Sequence, residues 1–584
     1  MASFSPNIIA NSLLSHAAYN PEGEIIVCGD RRIRWKDLVP RVLKIAQGLV
    51  KLGVKKDDKV VFMFHNTPEF FEINFGIQVA GGIPCPMNYR FVPGEVEYQG
   101  NHSDAVVFFF DALWKEAVLP ALKNLPKIRK VICKGEVEAQ GIVEYESFVE
   151  EGAAKDPLIA NDWEDVAVMI YTGGTTGFPK GVMLTYKAHL EMFSILAGYA
   201  ATRMFSMDMP KERKEKIFED FQLPFKSVLG GFFQSELFKN LMKKPGVRKF
   251  LQEKTRKDIM NPRKKRKKAY ESARRSMYPS MPFFHDASYA NIIGGVLTGG
   301  SCFILPESVK FDPKRILELI EKENVSMLCN VPTGWKKLLD DPDFGRYDVG
   351  CVRTATTGGG LCSKDLKARI LKAFPNAMVF DGFGQTEMTP ITSFRIDGDP
   401  ENIEDRSVGS SIVDVKIVDE NNREVAPGEA GEILYRSSTV MKGYYKDEGK
   451  TKEVIEDGWF RSGDLGYIDT IGEIRLIDRK KECINTGGEK VFPLEVEEVI
   501  SRHPKVDVVC IIGVPDEDWG HQVRGVVQLK AGETTRPEEI MEFCKGKLAG
   551  YKIPKSIVFV KEIPFSPAGK MLRQKVREAH GVPA

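Results

Sequence analysis

The run Thr172–Gly181, TGGTTGFPKG, carries the residue types needed to hold a polyphosphate. Gly173, Gly174 and Gly177 let a backbone fold tightly and turn its N–H groups toward an anion. Thr175 and Thr176 add hydroxyl donors, and Lys180 adds a point charge suited to phosphate. The apolar stretch before it, Val166 to Tyr171, reads as a buried strand that feeds the loop. The loop of common nucleoside triphosphatases needs Gly-Lys followed by Ser or Thr. Lys180 stands instead between Pro179 and Gly181, so this loop needs another geometry.

Other runs have chemistry of their own. Thr357-Gly358-Gly359-Gly360-Leu361 lets backbone come close to a planar ligand. Asp381-Gly382-Phe383-Gly384-Gln385-Thr386-Glu387 follows the apolar strand Ala377 to Phe380 and gathers a ring, a hydroxyl and a carboxylate. Asp464 closes Gly458–Asp464, and Asp478-Arg479-Lys480-Lys481 comes soon after. A carboxylate can accept from two ribose hydroxyls, and arginine can donate to ribose or phosphate. Lys570 directly follows a glycine in a Pro-rich tail, which suits a charge delivered by domain closure. Taken singly, Lys570 reads as a surface lysine and the DRKK run as a solvated turn, while His285 can be a site histidine or a core one.

In this order the runs resemble the signature motifs of the adenylate-forming superfamily. That superfamily includes acyl-CoA synthetases, aryl-CoA ligases, luciferases and the adenylation domains of peptide synthetases. The resemblance spans nearly the whole chain outside residues 203–280. It departs at Gly173, where most members have serine, at Phe383, often tyrosine, and at Asn485, often lysine. It implies ATP, Mg2+ and coenzyme A as substrates and cofactor. Thr172 to Gly177 and Lys180 would hold the outer phosphates, and Gly358 to Gly360 would lie against adenine. Phe383 would stack on adenine, Asp381 would meet its amino group, and Gly382 and Gln385 belong to the same nucleotide site. Thr386 would contact the α-phosphate, and Glu387 with Thr175 would bind Mg2+. Asp464 and Arg479 would hold the ribose. Lys570 would bridge the substrate carboxylate and the α-phosphate, and His285 would stand at the acyl site. Lys481 matches the hinge, and Gly487 and Gly488 sit in the loop that receives CoA.

The implied reaction is an ATP-dependent, AMP-forming ligation of a carboxylic acid to CoA, first on a medium- or long-chain fatty acid. Cyclic, steroid-side-chain and aryl acids stay open, as does loading of a carrier-protein thiol. A luciferase-like oxygenase and a membrane-bound scaffold are the readings from other classes.

The elements that must position these residues alternate. Leu38 to Leu52 has apolar residues at helical spacing, Lys59 to Phe64 reads as a strand, and the alternation returns from Val325 to Met378. This predicts an α/β class, with a large N-terminal domain over 1–480 and a small mobile α+β domain over 481–584. The text from Val408 to Tyr445 reads as a β subdomain. Helices are expected over Pro493–Ser501 and near Pro537–Leu548, with strands around Val508–Ile512 and Val523–Leu529.

At 584 residues and 42% hydrophobic, the chain can build more than one core. Its net charge of +2 gives no global pull toward nucleic acid. Ten scattered cysteines without a C-x-x-C pair, and no secretory leader, predict a reduced, cytoplasmic setting. Residues 203–280 differ. They carry 22 Lys and Arg against 9 Asp and Glu, a net +13, which leaves −11 for the rest. Phe225 to Leu241 reads as a basic amphipathic helix, and Arg263–Lys268 is the densest cationic run. A peripheral membrane contact, a homodimer contact, a helix packed on the main domain and a solvated arm all fit this insert.

Overall fold

The computed structural model describes residues 4–172, 179–207, 210, 213, 235–260, 275–360, 362–404, 406–486, 489–516, 519–566, 569 and 571–582, with Arg275 and Lys481 as backbone only. Two compact units result. Unit 1 joins Met1–Asp405 with Ser437–Glu453, and unit 2 joins Arg406–Arg436 with Val454–Ala584.

In unit 1, Val166–Thr172 (β1) turns back antiparallel onto Lys180–Thr185 (β2), with Thr172 opposite Lys180. The apolar sequence VAVMIYT suits a strand buried over its first five residues. Thr185 then caps Tyr186–Ser206 (α1), its Oγ1 accepting from the Ala188 N–H at 3.1 Å. Within the insert lie Glu236–Met242 (α2) and Pro245–Met260 (α3), and Asp286–Thr298 (α4) follows it.

A largely parallel sheet carries the next elements. Thr354–Thr357 (β3) leads through Lys364–Ala373 (α5) to Met378–Phe383 (β4), parallel to β3 with Thr357 opposite Asp381. Ser393–Asp397 (β5) pairs antiparallel with β4, and Met327–Asn330, Arg275–Pro279, Ser301–Leu305 and Glu24–Cys28 extend the sheet on the other side. Such βαβ crossovers bury strands on both faces. Here Leu317, Ile320, Trp335, Ile370, Phe374 and Val379 form one core, each fully buried. A second parallel sheet runs in the order Ile83–Pro86, Lys59–Met63, Ala105–Asp111, Lys130–Lys134, Ile142–Glu144. The α/β class expected from the alternation is what unit 1 adopts.

Unit 2 holds an antiparallel sheet of Asp414–Val418, Gly431–Arg436, Trp459–Ile468 (β7) and Ile474–Arg479 (β8). It also holds Pro493–Ser501 (α6), packed through Val496 and Ile500 on Val506–Asp516 and Gly520–Leu529.

Two expectations are corrected. Val408 to Tyr445 is not one β subdomain, because its last strand, Gly443–Tyr444 (β6), pairs with β2 of unit 1. The backbone N–H groups of Lys442 and Tyr445 donate to Met183 O and Gly181 O at 2.9 and 2.8 Å, which ties this stretch to the β1–β2 hairpin, and that of Met441 donates to Glu387 O at 2.8 Å. A single helix from Phe225 to Leu241 is also excluded. Ser235 is extended (φ −69°, ψ 151°), and its Oγ accepts from the Phe238 N–H, so a helix starts there. Residues 225–234 and 263–268 lie outside the described residues.

Candidate active site

The β1–β2 hairpin and the strap 437–447 bring two predicted site residues to one ring. Lys180 opens β2. Its ammonium lies 5.2 Å from the centroid of Tyr444, on β6, and 3.9 Å from an Asp447 carboxylate oxygen. Glu387 lies in the short helical turn Thr386–Met388 that follows β4, and the Tyr444 hydroxyl donates to Glu387 Oε1 at 2.8 Å. Burial, and then the Glu387 charge, hold the Tyr444 phenol above its usual range, so it stays a donor. Sequence reasoning missed Tyr444. An aromatic in a short strand is most often core, and nothing local ties it to a carboxylate 57 residues away. Gly173, Gly174, Thr175, Thr176 and Gly177 lie outside the described residues, and with them the expected Thr175 metal contact. Thr172 ends β1, half-buried.

The two glycine-bearing runs meet. A Cβ placed on Gly358 would stand 3.1 Å from the Gly382 carbonyl oxygen, so β3 and β4 approach closely where they leave the sheet. Gly359 has φ +77°, a conformation glycine adopts without strain, and Gly360 follows it at the surface. Phe383, the last residue of β4, and Gln385 and Thr386 beyond it are half-buried. Asp381 differs from its neighbours. It is 4% exposed, and the Lys367 ammonium of α5 stands 2.5 Å from it and 3.7 Å from Asp397. Arg395 Nε donates to Asp397 at 2.7 Å, which completes a buried group of two cations and two carboxylates. The Asp381 side chain therefore has a protein partner that the sequence did not reveal.

His285 is the N-cap residue of α4, its ring packed on Phe284 with centroids 4.4 Å apart. The Asn66 amide donates to Pro279 O and Met281 O at 3.1 and 2.9 Å and accepts from the Phe283 N–H, which fixes the approach to His285. Burial, then the Glu387 charge, push the next carboxyl, Asp286, far above its usual range. Trp335 Nε1 donates to Thr356 O at 3.2 Å, so the start of the helix Pro332–Leu339, which Val331 caps, lies beside β3.

In unit 2, Asp464 on β7 stands opposite Arg479 on β8, and Arg479 Nε is 2.5 Å from the Asp464 carboxylate. Asp478 accepts from the Leu494 and Arg479 N–H groups at 2.9 and 2.7 Å, while burial pushes its carboxyl up to about 6. Lys481 falls in the short helical turn Lys480–Glu482 that follows β8. Gly487, Gly488 and Lys570 lie outside the described residues. The hairpin Ile484–Thr486 with Glu489–Val491 brackets the two glycines. Around Lys570, Phe565 bridges Met571, and the Leu572 N–H donates to Pro564 O at 2.9 Å.

Among the described residues no group of three or more His, Cys, Asp or Glu is placed to hold a metal ion. Mg2+ needs no such cage, because one or two carboxylates and the substrate's phosphates suffice. Glu387, a hard oxygen donor oriented by Tyr444 near Lys180, fits that requirement.

The pattern described as AMP-binding enzyme matches residues 13–213 and 255–445, and that described as AMP-binding enzyme C-terminal domain matches 495–570. The chain is 28% identical to a long-chain-fatty-acid–CoA ligase of Bacillus subtilis (strain 168), over 98% of this chain and 95% of the relative. It is 27% identical to a feruloyl-CoA synthase of Amycolatopsis sp, over 97% of each. Among solved structures, the anthranilate CoA ligase AuaEII in complex with anthranoyl-AMP superimposes with a TM-score of 0.78 at 21% identity, covering 98% of this chain and 96% of that one. The chain belongs to the AMP-binding enzyme family, within the adenylate-forming superfamily of the AMP-forming acyl-CoA synthetases.

Proposed function

We propose that this enzyme is an ATP-dependent, AMP-forming ligase that joins a medium- or long-chain fatty acid to CoA. The observation that carries the reading is the pairing of Lys180 and Glu387 across the Tyr444 ring. A cation suited to phosphate and a carboxylate suited to Mg2+ sharing one aromatic support is what this reading requires.

A carboxylate is a poor acyl donor because its leaving group would be oxide. Its attack on the α-phosphate of ATP gives an acyl-adenylate and expels pyrophosphate. Lys180 counters charge on the outer phosphates, while Thr386 and Lys570 steady the α-phosphate as bonds change. Bound Mg2+ would add charge neutralisation on the same phosphates from Glu387. Gly358–Gly360 and Phe383 accept the adenine, and Asp464 with Arg479 holds the ribose. Movement about Lys481 then withdraws Lys570 and presents Gly487 and Gly488 to CoA, whose thiol displaces AMP. His285 guards the path of that thiol.

The fatty-acid reading draws support from the Bacillus relative, and the feruloyl relative argues for an aryl acid at nearly equal identity. Pyrophosphate release across a panel of fatty, cyclic, steroid-side-chain and aryl acids, with and without CoA, tests both the reaction and the acid. Best turnover on C8–C18 acids with acyl-CoA as product supports the proposal. Release with an aryl acid alone moves the substrate class, and release with no acid refutes the ligase reading.

A further inference from the structure

The family pattern skips residues 214–254, and α2 with most of α3 falls in that gap. These helices are an addition to the shared fold. α3 has two distinct faces. Arg248, Gln252, Arg256 and Ile259 recur at helical spacing and turn toward α1. The Arg248 guanidinium lies 4.9 Å from the Tyr199 ring centroid, and Arg256 Nε stands 3.1 Å from Glu191. A Cβ on Gly198 would meet Arg248 O at 3.0 Å, so α1 and α3 approach as closely as a glycine permits. α3 is therefore clamped along one side, and its other side is a rigid display.

That other side carries Lys249, Phe250, Lys254, Lys257 and Met260, all exposed. Phe250 is 65% and Met260 41% exposed. Of the two acids of α3, Glu253 is turned to Arg256 within the helix and Asp258 is half-buried. α2, held to α1 through Phe238 against Phe205, exposes Leu237 (72%) and Leu241 (40%), one turn apart, and the exposed Lys243 and Lys244 follow it. Large apolar side chains so open to water need a partner, and lysines interleaved with them select its charge.

The geometry points to a docking surface for an anionic lipid membrane, formed by the outer face of α3 with the exposed leucines of α2. Phe250 and Met260 enter the boundary between headgroups and acyl chains. Lys249, Lys254 and Lys257 lay their stems on that boundary and place their ammonium groups among anionic headgroups. A second copy of the chain fits less well, because two-fold pairing of this face would set lysine against lysine. Among the described residues no helix is long and apolar enough to cross a membrane, so the attachment is peripheral. The surface is independent of which acid the enzyme activates.

Sedimentation of the full chain with 70:30 phosphatidylcholine:phosphatidylserine vesicles tests this, with pure phosphatidylcholine as control. Binding to the anionic vesicles is expected at low salt, and it weakens as salt shortens the screening length to about 8–10 Å. Lys249→Ser/Lys254→Ser/Lys257→Ser is expected to weaken it about a hundredfold, at roughly a factor of five per lysine. Phe250→Ser/Met260→Ser is expected to weaken it without changing its salt dependence. Both variants should keep wild-type turnover of a short soluble acid, which reports their folding. In Phe250→Trp the indole emission should shift to the blue with anionic vesicles only. Absence of wild-type binding at low salt would overturn the proposal. So would full binding by both α3 variants, or loss only on replacing Lys264, Lys265, Lys267 and Lys268. A dimer that Phe250→Ser dissociates would make this face a subunit contact, and preference for an oligonucleotide over vesicles would also refute the membrane assignment.

Discussion

Replacing Tyr444 with phenylalanine removes one hydroxyl and keeps the ring. That hydroxyl donates to Glu387 Oε1 at 2.8 Å, while the ring face meets the Lys180 ammonium at 5.2 Å from its centroid. A hydrogen bond to a charged acceptor contributes about 1.5–3 kcal/mol, which corresponds to a factor of roughly 10 to 150. The loss is expected on adenylation, the step proposed to use Glu387. Without its donor the carboxylate can rotate, and its oxygens no longer point one way when MgATP arrives. Adenylation efficiency with MgATP is therefore expected to fall tenfold to a hundredfold, and the Mg2+ concentration for half-maximal rate to rise. Conversion of supplied acyl-adenylate to acyl-CoA needs no pyrophosphate chemistry and should keep its rate. Tyr444→Leu also removes the ring, and with it a cation–π contact of about 0.5–2 kcal/mol. That further loss should appear in the apparent affinity for ATP, measured by calorimetry without acid. The assays are pyrophosphate release at varied Mg2+ and thioester formation from synthetic acyl-adenylate. An unaltered Mg2+ dependence in Tyr444→Phe, or equal damage to both half-reactions, refutes the reasoning.

Three other perturbations separate the remaining roles. Lys570→Ala should lose most adenylation yet still convert supplied acyl-adenylate, since the role proposed for its charge lies in the first half-reaction alone; equal loss in both sinks that role. Lys481→Pro should do the reverse by fixing φ near −65° at the proposed hinge, and a normal thioester rate would place the pivot elsewhere. His189 on α1 is fully buried, neither ring nitrogen has a hydrogen-bond partner among the described residues, and burial lowers its pKa to about 3. As pH falls below about 6.5 the unfolded chain binds a proton there and the folded chain does not. Stability is therefore lost at about 1.4 kcal/mol per pH unit, down to roughly pH 3. His189→Leu should flatten that acid limb in chemical denaturation, and an unchanged slope would assign the limb to other groups.

The parts of this molecule that were legible in sequence are those decided locally. α6 spans Pro493–Ser501 as its spacing predicts, because proline opens it and Val496 and Ile500 recur on the packed face. β1 reads as a strand from its unbroken apolar run, and the Asp381–Glu387 residues end a strand and enter a turn as their glycines suggest. What escaped was decided by partners distant in the chain. The short strands between turns at Asp414–Val418, Gly431–Arg436 and Gly443–Tyr444 look alike as text. Only its pairing with β2 and the backbone bonds of Lys442 and Tyr445 send the last of them to the β1–β2 hairpin. Lys367 reads as one more lysine on an amphipathic helix, yet it is 1% exposed between two carboxylates. Tyr444 shows the same gap at the candidate site. The motif residues Lys180 and Glu387 name the groups proposed to face phosphate and metal. The side chain that keeps both in position is an aromatic with no motif of its own, because its task is defined by the two surfaces it separates.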